Sequence, residues 1–287
     1  MDILSVFKDA VEESIKKKGH RLSERNNYYD ENYVNHIRED FERLKVKSLE
    51  VNYSNRYKCT PICSISSSGR LCYLYFRKKN VEFEQTLNND INSNTKMDAC
   101  KDNVFYECKC QELMSKSHDQ LSANYLNSDL FKELIKNRVD EVEKSTIIIK
   151  KDGKEKTKDV LNFDLNLLLG LEKSYGDYSK QVFDYKQLIC HLIAIANSDK
   201  NNKVGKELRY IIFKPDKDKI KPKSKLETRY NEFDEEFKLL TKANTPIGDF
   251  CKHHNITISN YISVDIGEVD DFVLDELNKK TLNDAVS

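Results

Sequence analysis

The sequence predicts an α/β fold, with a mixed central sheet flanked by helices and helical additions at both ends. Three observations point there. Short apolar runs bounded by turn residues, of which 207–213 (ELRYIIF) is the clearest, have the length and composition of buried strands. Longer segments repeat apolar residues every three to four positions, the spacing of a helix with one face in a core. The two kinds of segment are mixed along the chain, as expected when one sheet is covered by helices on both faces.

From the N-terminus, residues 3–18 read as a helix with Ile3, Val6, Phe7, Ala10 and Val11 on one face, and 30–45 as a second with Tyr33, Ile37, Phe41 and Leu44. Residues 1–50 are read as a helical extension and 51–287 as the main domain. Residues 62–69 (ICSISSSG) form a small-residue loop, and 71–76 (LCYLYF) read as a buried strand. Residues 80–91 suit a helix capped by Asn80. Two strands, 95–100 and 103–110, are joined at Lys101-Asp102 as a hairpin. Residues 119–144 read as mostly helical and 145–149 as a strand before the exposed turn KKDGKEK. The most apolar helices are expected at 161–173 and 184–197. After the strand at 207–213 comes a lysine-rich loop, 214–225. Helices at 226–241 and 246–253, a last strand at 256–264 and a polar tail from 277 complete the chain. No internal repeat is visible.

Composition excludes several classes. The 287 residues are 38% hydrophobic and 10% aromatic, too apolar for a disordered tail. Lys+Arg and Asp+Glu each count 48, so the formal net charge is zero, and a nucleic-acid partner has to meet a local basic patch. No run of about 18 apolar residues exists, so a membrane partner is not expected. Asp2 stands where a signal peptide would be positive, and eight cysteines are diluted in a long chain. Reduced thiols and a cytoplasmic location are therefore expected.

The chemistry concentrates in 95–112, TKMDACKDNVFYECKCQE. Alternation in a strand puts Phe105, Glu107 and Lys109 on one face and Val104, Tyr106, Cys108 and Cys110 on the other. The second set suits a core. The first sets a carboxylate and an ammonium side by side among apolar neighbours, where polar groups need partners. Asp98, on the preceding strand, lies close enough in a hairpin to converge with Glu107. Two carboxylates and a lysine are the groups that metal-assisted phosphodiester hydrolysis requires.

Asp98 followed by Glu107-Cys108-Lys109 resembles the Asp…(Asp/Glu)-x-Lys motif of the PD-(D/E)XK nuclease superfamily. Met97-Asp98-Ala99, Glu112, Glu84 in EFEQTL, Lys186-Gln187-Leu188 and His191-Leu192 resemble bacterial restriction endonucleases of that superfamily. The likeness spans roughly residues 60–215, and no Pro precedes Asp98. It implies a restriction-endonuclease-like fold and a metal-dependent endonuclease acting on DNA in restriction or defence. Asp98, Glu107 and the Cys108 carbonyl would ligate Mg²⁺ or Mn²⁺. Lys109 would assist the water, Glu84 on a core helix would hold a further water, and Gln187 would touch the site or the DNA backbone. The sequence allows a homodimer as a partner arrangement without setting the oligomeric state.

Other readings stand beside this one. Glu107 and Lys109 could be an ion pair on a half-exposed strand. The same fold could serve as a non-cleaving subunit that binds nucleic acid or protein. His191, one turn after Gln187, reads as a satisfied half-buried histidine, Glu84 as a solvated helix residue and Glu112 as surface. Cys59, Cys63 and Cys72 lack the paired spacing of structural zinc. His253 and His254 beside Cys251 should diverge as neighbours on a helix, which argues against a joint site. The lysines of 214–225 fit a solvated loop or a phosphate-contacting patch.

Overall fold

The computed structural model describes residues 2–16, 67–77, 79–151, 154–199, 204–242 and 244–269. The expected helix at 30–45, residues 62–66 of the loop expected at 62–69, Cys59, Cys63 and the tail from 277 lie outside them, while Ser67 caps a helix that begins at Ser68. Helix α1 (Ile3–Lys16) is followed by α2 (Ser68–Phe76), the meander β1 (Glu82–Asn88), β2 (Asn94–Lys101) and β3 (Val104–Lys109), then β4 (Leu121–Ser122) and α3 (Asp129–Leu134). Next come the hairpin β5 (Glu143–Lys151) and β6 (Lys154–Asn162), α4 (Asn166–Leu169), α5 (Tyr185–Ser198) and β7 (Lys206–Lys214). Helices α6 (Lys225–Leu240) and α7 (Pro246–His253) lead to β8 (Ile256–Ile258) and β9 (Ile262–Asp265).

The central sheet is mixed, in the order β1-β2-β3-β7-β8, with β9 also paired to β7. β1–β2–β3 is antiparallel, whereas β3–β7, β7–β8 and β7–β9 are parallel. The chain crosses from β3 to β7 through a second, three-stranded sheet, β4-β6-β5, and α5. Helix α5 packs on β1 and β2, and α2 packs on β2, β3 and β7. Phe76 of α2 meets Tyr106 with ring centroids 4.6 Å apart. By strand alternation Glu107 and Lys109 then face α5. The protein is thus α/β, with helices on both faces of a mixed sheet. Among the described residues no helix is long and apolar enough to cross a membrane. Cys72, Cys100, Cys108, Cys110, Cys190 and Cys251 are free thiols.

Several elements follow the sequence closely. In α1, Phe7, Ala10 and Val11 are buried, and the helix packs on α6 and on the turn after β3. The two strands of the hairpin carrying Asp98 and Glu107 fall where alternation puts them, with Asp102 in the left-handed conformation (φ 54°) that a tight turn requires. β7, α5, α6 and α7 also match expectation.

Four expectations fail, each for a physical reason. Residues 71–76 are helical, not a strand. Ser67 caps the helix by accepting from the Arg70 amide, and α2 is buried nearly all round, which erases helical periodicity. Residues 82–88 are the edge strand β1, not a helix, because pairing with β2 supplies the order that their polar composition does not. Residues 161–173 hold the end of β6 and only four helical residues, stopped by Gly170 in the left-handed region (φ 58°). Residues 119–144 contain one six-residue helix among short turns, not mostly helix. The expected strand at 256–264 is present but broken at Ser259–Tyr261 into β8 and β9, which pair with successive stretches of β7.

An aromatic cluster fixes the flank of the site. Phe183 contacts Tyr210, Phe233 and Phe237 at 5.3–5.8 Å, joining the approach to α5 with β7 and α6. Each ring buried here stabilises by more than its area alone, and truncating Phe183 to Ala costs about 3–5 kcal/mol. Buried Glu236 of α6 accepts from the amides of Val182 (3.2 Å) and Phe183 (2.8 Å), which sets where α5 begins.

Candidate active site

Register brings the acids together. Ala99 pairs with Tyr106 on β2–β3, so one step further Asp98 stands opposite Glu107. Phe83 and Gln85 of β1 pair with Ala99 and Met97, which sets Glu84 opposite Asp98. On the far side Glu107 pairs with Tyr210 of β7. Glu84, Asp98, Glu107 and Tyr210 therefore form one row across four strands. The β2–β3 ladder ends at Ala99–Tyr106, and beyond it the Asp98 carboxylate accepts from the Cys108 amide at 2.6 Å. Asp98 thus takes up a backbone donor that the ladder leaves free.

Glu107 and Lys109 are 2% and 8% exposed, and their side chains pair at 2.8 Å. Two buried charges are tolerated only when paired and hydrogen-bonded. Gln187 of α5 completes the pair: its amide nitrogen donates to Glu107 Oε1 at 2.6 Å, and its amide oxygen accepts from Lys109 Nζ. Asp184 caps α5 through the Gln187 amide at 3.0 Å and so orients that residue. His191, one turn after Gln187, is fully buried, with Nε2 3.6 Å from Glu107 Oε2.

The electrostatics follow from burial and this crowding. Asp98 is held well above the ordinary carboxylate range, by burial first and by the Glu107 charge next, against the pull of Lys109. Burial draws Lys109 downward, but Glu107, Glu112 and Asp98 outweigh it and the ammonium is pushed up on balance. Lys109 is a fixed cation rather than a base. Burial holds His191 below the usual imidazole range, so it is neutral at pH 7. Burial raises the Tyr210 phenol, with Glu107 and Asp184 adding to the effect.

Asp98, Glu107, Lys109 and Gln187 are thus brought into one hydrogen-bonded group, with the Cys108 backbone between the acids. Glu84 joins the row from a strand, not from the expected helix. Its φ of 54° is unusual for a strand residue, and its carboxylate pairs with Lys96 at 3.1 Å. Glu112 is not a bare surface residue: it accepts from the Cys110 amide (2.8 Å) and the Ser68 hydroxyl (2.9 Å), tying the end of β3 to the start of α2. Of the loop lysines, Lys214 lies over the rings of Tyr230 and Tyr261 at 4.6 and 5.2 Å and belongs to the packing.

Sequence reasoning missed Asp184 and Tyr210 and placed His191 only half-buried. Asp184 had a legible signal, an Asp three residues before a Gln at the head of an apolar helix, which is a capping pattern. Tyr210 had none, because only strand register sets it beside Glu107.

The arrangement can do three things. It presents two carboxylates to one place, it holds an ammonium there permanently, and it fixes both through one glutamine. In comparisons with known proteins, no family model matches this chain, and no curated protein or solved structure matches it.

Proposed function

We propose that the protein is a metal-dependent endonuclease of restriction-endonuclease-like fold that hydrolyses DNA phosphodiesters, with Asp98, Glu107 and Lys109 at its centre. The observation that carries this reading is the meeting of Asp98 and Glu107 beside Lys109. The order of elements supports it: Asp98 on one strand, Glu107 and Lys109 on the next, then the helix with Gln187 and His191, then a parallel strand.

The residues fit a hard divalent cation. Glu107 Oε2 is buried without a hydrogen-bond partner among the described residues, and burial together with the Glu107 charge makes ionisation of Asp98 unfavourable. A cation between them relieves both. Asp98, Glu107 and the Cys108 carbonyl would hold Mg²⁺ or Mn²⁺, whose oxygen preference they match. Bound there, the ion would supply a water of lowered pKa and neutralise charge on the phosphate.

The chain's own groups have separate tasks. Lys109 offers a permanent positive charge to phosphoryl oxygens and to an attacking water, a preorganised contribution of the kind that lowers barriers most. Gln187 keeps Lys109 and Glu107 in place. Neutral His191 seals the inner side of Glu107 against water. Glu84, on the outer strand, is placed to hold a further water at the rim.

A polyanionic partner is supported by the β5–β6 hairpin. Cross-strand pairs share a face, and Ile147 pairs with Lys158 and Ile149 with Lys156. Lys154 lies on the same face and pairs with Lys151, so across the ladder these lysines pair with two isoleucines and a further lysine rather than acids. Successive lysines on a strand stand roughly 7 Å apart. A two-stranded ribbon also fits the DNA major groove.

The test is plasmid cleavage by purified protein with Mg²⁺ or Mn²⁺. Nicking or linearisation that EDTA abolishes is expected, and DNA binding without cleavage under either metal would overturn the assignment.

A further inference from the structure

A second group of ligand-type side chains lies away from the acidic row. Helix α7 ends at His253, and His254 is its C-cap residue, with φ −93° and ψ 11°. The chain leaves the helix there, so these neighbours do not diverge as two mid-helix residues would. Their rings stack instead, with centroids 4.8 Å apart and planes at 26°. Both turn to Glu133 near the end of α3. His253 Nδ1 lies 2.6 Å from Glu133 Oε1, and His254 Nε2 lies 3.1 Å from both carboxylate oxygens. The three ligand atoms lie within 4.8 Å of one another, so small side-chain shifts would bring them to the separation of about 3.4 Å that tetrahedral bonds of about 2.0–2.2 Å require.

We propose that Glu133, His253 and His254 form a metal site for a borderline divalent transition ion, Zn²⁺ by its donor set, clamping α7 to α3. Two imidazoles and one carboxylate suit zinc, whereas Mg²⁺ prefers oxygen alone. His254 is buried on the protein side and meets the Phe250 ring at 4.4 Å in a tilted contact, which holds its ring in place. The His253 side chain is 68% exposed, which leaves the remaining coordination position open to water. Lys136 and Asp249 pair at 2.6 Å between the end of α3 and α7, so the two elements are already in register for the clamp.

The site is distinct from the acidic row and does not rest on the nuclease reading. Asn255, just after His254, accepts from the Lys206 amide at the start of β7. Glu107 pairs with Tyr210, four residues further along that strand, roughly 13 Å away at about 3.3 Å per residue. An ion at Glu133 would fasten the end of the sheet where β8 joins β7.

The test uses the full-length Asp98→Ala protein stripped with EDTA, so that the acidic row no longer competes. Zn²⁺ is titrated by calorimetry, Co²⁺ by visible absorption, and melting is followed with and without Zn²⁺. One Zn²⁺ per chain is expected, with a rise in Tm and a Co²⁺ spectrum of nitrogen and oxygen ligands free of thiolate charge transfer. Adding His253→Ala or Glu133→Gln, both on partly exposed side chains, should weaken binding by more than about 100-fold and remove the Tm rise, beyond what removing a group that merely supports a ligand would do. Absence of one-to-one binding in the parent, equal binding in the variants, or a thiolate spectrum that persists in them would each overturn the site.

Discussion

The two β-hairpins of this protein carry charge in opposite ways. In the β2–β3 hairpin Asp98, Glu107 and Lys109 are drawn inward, and each is held by another group: Asp98 by the Cys108 amide, Glu107 by Gln187 and Lys109, Lys109 by both. In the β5–β6 hairpin Lys154 and Lys156 stand out in solvent, Lys158 is half-buried beside them, and Ile148 is 68% exposed. Burying ions is expensive, so a fold that buries Glu107 and Lys109 beside half-buried Asp98 has arranged compensation around that place. Leaving lysines outside costs almost nothing and shapes the field met by an approaching polyanion. On the proposed function, the first hairpin would organise the chemistry and the second would supply long-range attraction.

The sharpest way to break this contrast is to remove an inward charge. Asp98→Ala and Lys109→Ala should each lower plasmid cleavage by roughly 100- to 1,000-fold or more, with circular dichroism unchanged. Lysines of the outer hairpin should do nothing comparable to turnover at saturating DNA. Activity persisting in either inward variant would place the chemistry elsewhere.

Gln187→Ala separates organisation from charge. It leaves both buried ions in place but removes the group that bonds to each, so it should cost about 1–3 kcal/mol in urea unfolding as well as activity. A loss of activity with no loss of stability would mean that Gln187 acts on substrate rather than on the pair.

Asp98→Asn should have the opposite sign on stability, adding about 0.5–2 kcal/mol to the metal-free fold while abolishing cleavage. The folded pKa of Asp98 is raised, so its contribution is fully present below the unfolded value of about 4 and is lost as pH rises through the folded value. The advantage of the Asp98→Asn variant over the wild-type protein should therefore be absent in acid and grow as pH rises through that window. A constant difference across pH would show that Asp98 is not crowded by Glu107.

The outer hairpin predicts the smallest change in fold. Replacing Lys154, Lys156 and Lys158 together with Ala should leave unfolding within about 0.5 kcal/mol. The salt dependence of DNA binding, plotted as log K against log salt, should become shallower by about one for each phosphate that these lysines neutralise. An unchanged slope would remove this hairpin from the DNA-facing surface.

What the sequence made legible was whatever local periodicity controls. α1, α5, α6, the β2–β3 hairpin and β7 present one clear apolar face or a short apolar run, and the acids of the hairpin could be placed by alternation alone. The misread elements are those whose environment is uniform or supplied from elsewhere. α2 is buried on nearly all sides, so its apolar run resembles a strand. β1 is a polar edge strand whose order comes from β2. The convergence of His253 and His254 depends on a helix ending between them, which spacing rules do not register. Asp184 and Tyr210 enter the site through tertiary register, and Tyr210 carries no sequence mark of it.

The central claim is that Asp98 and Glu107 share one divalent ion, and Mn²⁺ binding tests it most directly. Calorimetry on metal-free protein carrying His253→Ala, which removes the other candidate ion site, should show one Mn²⁺ per chain, with binding lost on adding either Asp98→Ala or Glu107→Gln. Mn²⁺ binding that is unchanged by both substitutions would contradict the account.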